Sequence, residues 1–448
     1  MINYRPQHVS VKFVDLFCGI GGFHHALSDL GHECVFACDT DKHCREVYQE
    51  NWDMTVFKDI RDWVDEIDDH DFLCAGFPCQ PFSKSGSQAG FQDKIRGTLF
   101  DEICKIIKKN NPTYLLLENV PNMRTHDDGN TMKTIRSVLQ ELGYYVKDQV
   151  LSPHQFGIPQ HRPRLFIAGF KKSKVKNFSK FRFPTPNPKN EEIHIDTIHD
   201  INSKGSIPDE LVNIFNHWTE FLSRLPLEVK PPSPTWSMEF GRTYELDGIH
   251  PLSKLKKEQI VSNLQKEGII CSMRMTKKQL LSHYPPYVRN MTSELPTWKK
   301  RFILKNRQFW EDYKHKIGNE WLDTTRTFSD THQKFEWHVG ASKSRDLLDY
   351  MIHLRPSGIR VSKLDRIPAL VAISQIPIIG PWMRKLTPRE AANAQSFRQD
   401  FVLHQKDSLA YKQLGNTVNV KIVKLIAMNM LFNNSEIKKK NKLKSNLR

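Results

Sequence analysis

The alternation of apolar and amphipathic segments over residues 11–170 is the feature that most restricts how this chain can fold. Five short apolar runs have the length and composition of buried strands: 11–17, 33–38, 72–76, 113–118 and 164–169. Helical patterns separate the first of these runs, at 23–30, which Gly31 closes, and at 41–51. Strands that alternate with helices form a mostly parallel sheet with helices on both faces, so an α/β, Rossmann-like fold is predicted here.

The regular alternation stops beyond Lys171, where prolines punctuate long polar stretches. Seven of the nine tryptophans lie between Trp218 and Trp382, interleaved with Lys and Arg. Two parts of this region have a helical pattern, 255–266 and 342–354, and α/β character returns near 411–429. The sequence therefore predicts four segments: the first part of an α/β domain at 1–172, a smaller irregular domain at 173–400, a return to the first domain at 401–433, and a basic disordered tail at 434–448.

The net charge of +16 is unevenly distributed along the chain. Residues 1–170 hold 18 Lys and Arg against 23 Asp and Glu, a balance of −5, whereas the remainder has a balance of +21. A positive field confined to one part of a protein favours a polyanionic partner such as nucleic acid. The alternative is a lysine-rich surface that only faces water.

The location and the cysteine chemistry follow from composition. No apolar run approaches the roughly 20 residues that span a bilayer, and the N-terminal residues lack the apolar core of a secretory signal. We therefore expect a cytoplasmic protein without a membrane partner. Residues His32, Cys34, Cys38, His43 and Cys44 have the ligand types of a zinc site but no Cys-x-x-Cys pair, so we predict no metal and assign the cysteines to the core.

A glycine-rich turn, residues 15–22, lies between the first strand and the first helix and predicts a ligand site. Its glycines do not follow the Gly-x-Gly-x-x-Gly spacing, which fits a ligand without pyrophosphate, such as S-adenosylmethionine. Asp39 lies 20 residues after Gly19, at the end of the second strand, where a carboxylate can accept hydrogen bonds from both ribose hydroxyls. Asp59 and Ile60 follow the next expected strand and are placed at the adenine edge and face. Taken alone, the turn could also be a tight turn without a ligand.

A cysteine in a proline-rich, aromatic-flanked turn is the strongest chemical signal. Residues 76–83 read Gly-Phe-Pro-Cys-Gln-Pro-Phe-Ser, and Glu118 follows the apolar strand 114–117. A lone cysteine is usually inert packing and a Glu after a strand is usually solvated. Together, Cys79 and Glu118 resemble the catalytic pair of the DNA (cytosine-5)-methyltransferases.

The resemblance extends over most of the chain, with the motifs in the order of that family. The matching segments are 17–21, 76–83, 96–100, 160–164, 386–391 and 413–418. Asp39 replaces the usual Glu, Thr40 replaces a residue that often stacks on adenine, and Thr417 replaces the usual Ser. The resemblance implies the S-adenosylmethionine-dependent methyltransferase fold with a smaller target-recognition domain at 173–400. The long stretch between Arg164 and Leu386 is similar to that of bacterial restriction-modification enzymes.

Residue roles are carried over from the resemblance. Cys79 is expected to attack C6 of cytosine, and Glu118, protonated through a raised pKa, to contact N3 and the exocyclic amine. Arg162 and Arg164 are expected to lower the pKa of Cys79. The residues expected to bind S-adenosylmethionine are Phe17, Gly19, Gly21, Asp39, Thr40, Asp59, Ile60, Pro78, Leu99 and Asn416.

Further expectations concern accessory elements and partners. Asn119 is expected to brace the Glu118 loop, and residues 83–90, rich in small side chains, to close on DNA as a lid. The substrate is expected to be double-stranded DNA, met in the bacterial cytoplasm at the nucleoid. We expect a monomer without an obligate protein partner, and a cognate restriction endonuclease as a functional, not physical, partner.

Three alternative functions compete with this interpretation. A tRNA cytosine methyltransferase shares the fold but has a short recognition region. A DNA-binding regulator with an inactive methyltransferase fold is disfavoured by intact Cys79, Glu118, Arg162 and Arg164. A dehydrogenase or other nucleotide enzyme is disfavoured by the glycine spacing.

Overall fold

The computed structural model describes residues 10–78, 97–186, 193–247, 252–289, 293–340, 342, 344–370 and 375–431. Three predicted features lie outside these residues: Cys79, the lid at 83–90 and the tail at 434–448. The chain divides into two compact units. The first unit comprises Met1–Asn202, Asp365–Ser374 and Thr387–Arg448, and the second comprises Ser203–Leu364 and Gln375–Leu386. The second unit is shorter at both ends than the segment 173–400.

The first 200 residues contain the main sheet of the first unit. Its strands and the small strand β6 are β1 (Lys12–Leu16), β2 (Glu33–Cys38), β3 (Phe72–Gly76), β4 (Tyr114–Asn119), β5 (Tyr144–Leu151), β6 (Gln160–His161) and β7 (Arg164–Lys171). The α-helices of the same stretch are α1 (Gly22–Ser28), α2 (Lys42–Trp52), α3 (Leu99–Asn110) and α4 (Asn130–Glu141).

Strands β1 to β4 run parallel, and β7 does not. The six-stranded sheet has the order β2-β1-β3-β4-β7-β5, in which β7 is antiparallel to both β4 and β5. Leu16 lies opposite Cys38 and Ala75, and Gly76 lies opposite Glu118, so the carboxyl ends of β1 to β4 meet at one edge. Every residue of β4 is buried, as expected where helices cover both faces of a sheet. The predicted α/β class with a mostly parallel sheet is confirmed.

Local capping fixes the helices that border this edge. Gly21, at φ 78°, precedes α1, and Gly31, at φ 81°, follows it. The Asp41 carboxylate accepts hydrogen bonds from the backbone N–H of His43 and Cys44 and so caps α2. The Thr98 hydroxyl caps α3 in the same way.

One strand that the sequence predicted in this unit does not form. Before Asp59, Phe57 makes only an isolated bridge with Cys38, and the Asp59 carboxylate caps a short 3-10 turn, Ile60–Asp62. Two backbone hydrogen bonds hold this stretch, from the N–H of Phe57 to the carbonyl of Ala37 and from the N–H of Asp39 to the carbonyl of Phe57. The ring of Phe57 also stacks on Phe36 of β2, with 4.9 Å between centroids.

The second unit is more regular than the sequence predicted. Its elements are α5 (Asp209–Arg224), β8 (Thr235–Trp236), α6 (Lys257–Lys266), α7 (Lys277–Ser282), α8 (Pro286–Arg289), α9 (Thr297–Ile317), α10 (Asn319–Thr325), β9 (Lys334–Trp337), β10 (Met351–Arg355) and β11 (Gly358–Ser362). After β12 (Ile367–Pro368), which pairs with β6 in the first unit, the second unit is completed by β13 (Ile378–Ile379) and β14 (Arg384–Lys385). Its mixed sheet has the order β14-β13-β10-β11-β9-β8.

The helix predicted at 342–354 is wrong. Leu347–Asp349 form one 3-10 turn, and Met351–Arg355 form β10, which pairs antiparallel with β11 and β13. Pro356 follows β10 directly, and a proline disfavours the helical conformation of the residue before it. The Pro-Ser-Gly turn at 356–358 was therefore a hairpin signal that the helical period obscured.

Tryptophans form the core of the second unit. Trp218 and Trp321 are buried, and the ring of Trp218 stacks on Phe335 at 4.7 Å between centroids. The indole N–H of each bonds a backbone carbonyl, of His332 and His217 respectively, which satisfies the donor that burial removes from water. These two tryptophans therefore serve packing, whereas Trp298 is 55% exposed.

The chain returns to the first unit after residue 386. Thr387 and Glu390 form a capping box at the start of α11 (Pro388–Ala394). Helix α12 (Asp407–Asn416) follows, and residues 420–431 are helical. The expected return of ordered structure near 411–429 is thus helical. Among the helices of the described chain, none has the length and hydropathy that crossing a bilayer requires.

Replacing Gly21 by Ala is expected to destabilise the protein more than replacing Gly31 by Ala. Both residues have similar positive φ, but a Cβ at Gly21 would meet Trp52 at 2.4 Å, whereas a Cβ at Gly31 would meet nothing within 4 Å. Since the backbone strain is shared, the difference measures overpacking, about 1–3 kcal/mol. Urea unfolding of the two variants tests it, and equal free energies of unfolding would contradict the contact.

Candidate functional site

A cavity of about 590 Å³ lies at the edge where the carboxyl ends of β1 to β4 meet. Most of the residues predicted from the sequence line it: Phe17, Gly19, Asp39, Thr40, Asp59, Ile60, Pro78, Leu99, Asn416, Glu118 and Arg164. Residues 412 and 415–418 line it as well, so the C-terminal part of the first unit closes a site that the first 120 residues begin.

The Asp39 carboxylate organises one end of the cavity. One oxygen accepts a hydrogen bond from the backbone N–H of Gly19 and the other from that of Asp41, both at 2.8 Å. Burial raises the pKa of Asp39, and these two hydrogen bonds act in the opposite direction. Each carboxylate oxygen retains a second lone pair, so Asp39 can still accept hydrogen bonds from a diol in the cavity.

The remaining lining suits the adenosine of S-adenosylmethionine. Gly19, at φ 55°, adopts a backbone conformation that only glycine takes without strain, and a Cβ there would meet nothing within 4 Å. The apolar side chains of Phe17, Ile60 and Leu99 line the same cavity as Asp39. An acidic group beside apolar walls is what a nucleoside needs, because its ribose donates hydrogen bonds and its base seeks apolar surface.

Asp59 is already engaged in an ion pair. Its oxygens accept hydrogen bonds from Arg61 at 3.0 and 2.5 Å, and the Arg61 guanidinium lowers the pKa of Asp59 to about 2. The Asp59 carboxylate is therefore ionised at neutral pH. An amine of a ligand that donates a hydrogen bond to it would do so beside Arg61, which already donates to both oxygens.

Glu118 and Arg164 form the polar centre at the other end of the cavity. Arg164 Nε lies 3.0 Å from Glu118 Oε1, and Glu118 is 7% exposed. Burial raises the pKa of Glu118, while Arg164 and then Arg162 lower it. The raised direction agrees with the expectation from sequence. The pair exists because β7 runs antiparallel to β4, which places the first residue of β7 at the carboxyl end of β4.

Asn119 braces this region as predicted. Its side-chain amide donates to the carbonyl of Phe77 at 2.7 Å, and its amide oxygen accepts from the N–H of Val120 at 2.8 Å. Phe77 directly follows β3 and lies two residues before Cys79. The end of β4 is thus tied to the segment that leads into the cysteine turn.

Arg162 and Arg164 occupy different places. Arg162 is 1% exposed and does not line the cavity, and its Nη2 donates to the carbonyl of Thr417 at 2.7 Å. Its Nε and Nη1 have no hydrogen-bond partner among the described residues. Burial, and then the charge of Arg164, lower the pKa of Arg162 to about 9. The influence of either arginine on Cys79 remains a prediction, because Cys79 lies outside the described residues.

Gly21 does not line the cavity, contrary to the sequence-based expectation. Its missing side chain faces Trp52, whereas the neighbouring Gly22 lines the cavity and would place a Cβ 2.6 Å from the Thr417 hydroxyl. Lys412 was also missed, and it pairs with Asp41 at 2.9 Å. The glycine doublet was a visible signal for Gly22, but nothing in the sequence relates Lys412 to Asp41.

Cysteines near the cavity belong to the core. Cys18, Cys38 and Cys44 are buried and free, and burial raises the pKa of Cys38 to about 12. A different group, His43, Glu46 and His404, brings three possible ligand atoms within 4.8 Å of one another. None of the three lines the cavity, and His43 and Glu46 are exposed.

Comparisons with known proteins show what this chain is similar to. A profile of the family described as C-5 cytosine-specific DNA methylase matches residues 11–431. The chain is 32% identical over 438 residues to the Type II methyltransferase M.BanI of Aneurinibacillus aneurinilyticus, covering 95% of this chain and 97% of that protein. It is 30% identical over 478 residues to M.AluI of Cellulosimicrobium cellulans, covering 93% and 91%. A solved structure of a Spodoptera frugiperda DNMT2 mutant aligns with a TM-score of 0.46 at 17% identity, over 94% of this chain and 100% of that one.

Replacing Asp39 by Ala is expected to weaken the binding of S-adenosylmethionine. One or two charge-assisted hydrogen bonds of about 1.5–3 kcal/mol each would be lost, and Asp39→Glu should restore much of the affinity. Asp71→Ala is the matched control, since Asp71 lies before the amino end of β3, away from the cavity. Calorimetry measures the affinities, and an unchanged value for Asp39→Ala would show that this carboxylate only caps the strand.

Replacing Glu118 by Gln is expected to change how stability depends on pH. The pKa of Glu118 is raised in the folded state above its ordinary value of 4.5, so folding takes up a proton between these two values. The wild type should therefore lose stability relative to Glu118→Gln as the pH rises through this window, by up to about 1.4 kcal/mol per pH unit. Urea unfolding at several pH values measures the difference, and parallel curves would refute the raised pKa.

Proposed function

Since the chain belongs to the C-5 cytosine-specific DNA methylase family, we propose that it methylates C5 of a cytosine flipped out of a specific duplex site, through a covalent bond between Cys79 and C6. The enzyme is a DNA (cytosine-5-)-methyltransferase that uses S-adenosylmethionine. The observation that carries the finer proposal is the buried Glu118–Arg164 pair in the same cavity as Asp39.

Covalent activation is required because cytosine C5 is a weak nucleophile. Addition of the Cys79 thiolate at C6 breaks the C5–C6 double bond and places electron density on the ring. At its ordinary pKa of about 8.5 a cysteine is only a few per cent thiolate at neutral pH. Arg162 and Arg164 are the cations proposed to lower that pKa, as the motif order Gln160-x-Arg-x-Arg implies.

Glu118 is proposed to receive the ring as a protonated acid. Its raised pKa keeps the proton on the carboxyl to a higher pH than in water, and that proton can pass to N3 as negative charge develops there. Arg164, 3.0 Å from Glu118, then faces the carboxylate that forms. The same low-polarity surroundings that raise the pKa also strengthen the ion pair.

At the other end of the cavity, Asp39 and the Gly19 turn are proposed to position the methyl donor. S-adenosylmethionine, when held by Asp39 and the Gly19 turn, supplies the methyl group that the activated C5 takes. The C5 proton then leaves to a water, its bonding electrons re-form the C5–C6 double bond, and the C6–sulfur bond breaks with its electron pair returning to Cys79. The proton on N3 returns to Glu118, which restores the acid. Asn119, by bonding the Phe77 carbonyl, holds the acid and the cysteine turn in register through the cycle.

Access to the base requires that it leave the duplex, because C5 and C6 are inaccessible within the base stack. The segment 83–90 is proposed to close over DNA, and the domain at 173–400 is proposed to choose the DNA sequence. The Type II relatives support a restriction-modification role in which methylation protects host DNA in the bacterial cytoplasm from a cognate endonuclease. A monomer suffices for this chemistry, since all the proposed residues lie on one chain.

Methylation of plasmid DNA by the wild type but not by Cys79→Ser is the expected result of a direct test. The serine variant should keep its affinity for DNA and for S-adenosylmethionine, because only the nucleophile is changed. Bisulfite sequencing of the plasmid maps the modified cytosines. Methylation of tRNA instead of plasmid, or substantial activity of a folded Cys79→Ser, would contradict the proposal.

A duplex with 5-fluorocytosine at the mapped position is expected to trap the wild type covalently. Fluorine cannot leave C5 as a cation, so elimination of Cys79 is blocked after methyl transfer. A denaturant-stable adduct on electrophoresis, absent for Cys79→Ser, measures this. Turnover without any adduct would exclude the C6 intermediate.

A further inference from the structure

Residues 252–289 of the second unit form a small helical element with its own core, here called the helix–loop–helix. Helix α6 and helix α7 are joined by the loop 268–276. The buried residues that hold the element together are Leu252, Ile260, Val261, Leu264, Ile269, Cys271, Leu280, Tyr284 and Val288. The element therefore has a defined shape that its own apolar side chains maintain.

A buried ion pair anchors the base of the loop. Glu267, the last residue before it, accepts a hydrogen bond from Arg242 Nη1 at 2.8 Å and from the N–H of Thr243 at 2.7 Å. Arg242 also donates to the carbonyl of His283. Both charged side chains are almost fully buried. Removing one partner from such a pair is costly, so the start of the loop is fixed.

The middle of the loop presents one apolar side chain to solvent. Ile270 is 97% exposed, although its neighbours Ile269 and Cys271 are buried. Met273, further along, is 46% exposed, and its carbonyl accepts a hydrogen bond from Lys257 at 2.7 Å. The loop is thus held at both ends of Ile270, and the exposure of this side chain is a built feature rather than the result of a loose chain.

The helix–loop–helix that carries this apolar tip has an excess of positive charge. Residues 252–289 contain eight Lys and Arg but only two Asp and Glu, and one of the two acids is the buried Glu267. Five of the cations are exposed and form no ion pair with a described residue: Lys254, Lys256, Lys266, Arg274 and Lys278. The contact between Lys257 and Met273 places the start of α6 beside the end of the loop, so cations flank the loop at both ends.

We propose that the loop 268–276 docks into a groove of duplex DNA, with Ile270 against base and sugar edges and the flanking cations on phosphates. This inference rests on the proposed function, which makes duplex DNA the substrate. Apolar side chains at the tips of basic elements contact thymine methyl groups or enter between base steps. An acidic duplex matches both the excess of cations and the one exposed isoleucine, whereas a second copy of this chain would bring the same cations against themselves.

The test compares two variants of the full chain with two matched controls. Arg274→Ala/Lys278→Ala removes two flanking cations, and Lys108→Ala/Lys133→Ala removes two exposed cations from α3 and α4 in the first unit. Ile270→Ser removes the apolar tip, and Leu227→Ser removes another side chain of the second unit, which is 73% exposed. A short duplex carrying the cytosine mapped by bisulfite sequencing is the probe.

Each variant should weaken DNA binding in its own way. For Arg274→Ala/Lys278→Ala, the slope of log affinity against log salt should become shallower by about 1.8, which is about 0.9 for each phosphate contact. Ile270→Ser should raise the KM for DNA by about tenfold without changing that slope, because its contact is apolar. For both, the affinity for S-adenosylmethionine and the kcat at saturating DNA should stay at the wild-type values, and the controls should match the wild type throughout.

The outcomes separate this inference from the proposed function. If the wild type methylates the duplex and both variants behave like their controls, the docking surface is overturned while the proposed function stands. If Ile270→Ser instead changes the sedimentation of the protein without affecting DNA binding, the loop is covered by a second copy and the inference fails. If the wild type itself does not methylate DNA, the proposed function is what fails.

Discussion

The parallel pairing of β1 with β2 and β3, and of β3 with β4, is the constraint on which the rest of the first unit depends. It brings the carboxyl ends of the four strands to one edge of the sheet. The cavity lies at this edge, where the backbone pairing of these strands ends. Asp39 directly follows β2, whereas Glu118 is still paired within β4, opposite Gly76 at the end of β3. The register of these strands fixes where the two residues lie, since a shift by one residue would turn the buried side chains of β4 to the opposite face.

The antiparallel strand β7 adds what a purely parallel sheet could not. Its first residue, Arg164, comes to the same edge and meets Glu118. Burial favours the neutral acid and the arginine favours the ionised one, so the proton on Glu118 is held between two opposing influences. Arg162, two residues earlier, is turned away and bonds the Thr417 carbonyl, which links this edge to the C-terminal motif. Neighbouring arginines thus have different physical tasks.

In the second unit, the structure shows which large apolar side chains are buried and which are exposed, and composition alone cannot make that distinction. Trp218 and Trp321 pack in the core with their indole N–H groups satisfied. Ile270 does the reverse, projecting from a loop whose neighbours are buried. The helical period at 342–354 failed for a related reason: β10 gains hydrogen bonds on both sides from β11 and β13, and a sheet partner outweighs local periodicity.

The sequence by itself determined the α/β class, the glycine turn, the acids that end β2 and β4, and the family, because strand and helix periods and short motifs are local properties. Of the ten residues that the sequence predicts to bind S-adenosylmethionine, nine line one cavity in the structure, all but Gly21. Only the tertiary structure decided that Gly21 packs on Trp52, that Lys412 pairs with Asp41, and that Glu118 meets Arg164. Those contacts join residues far apart in the chain, and their distances are set by strand direction and packing, which no local pattern encodes.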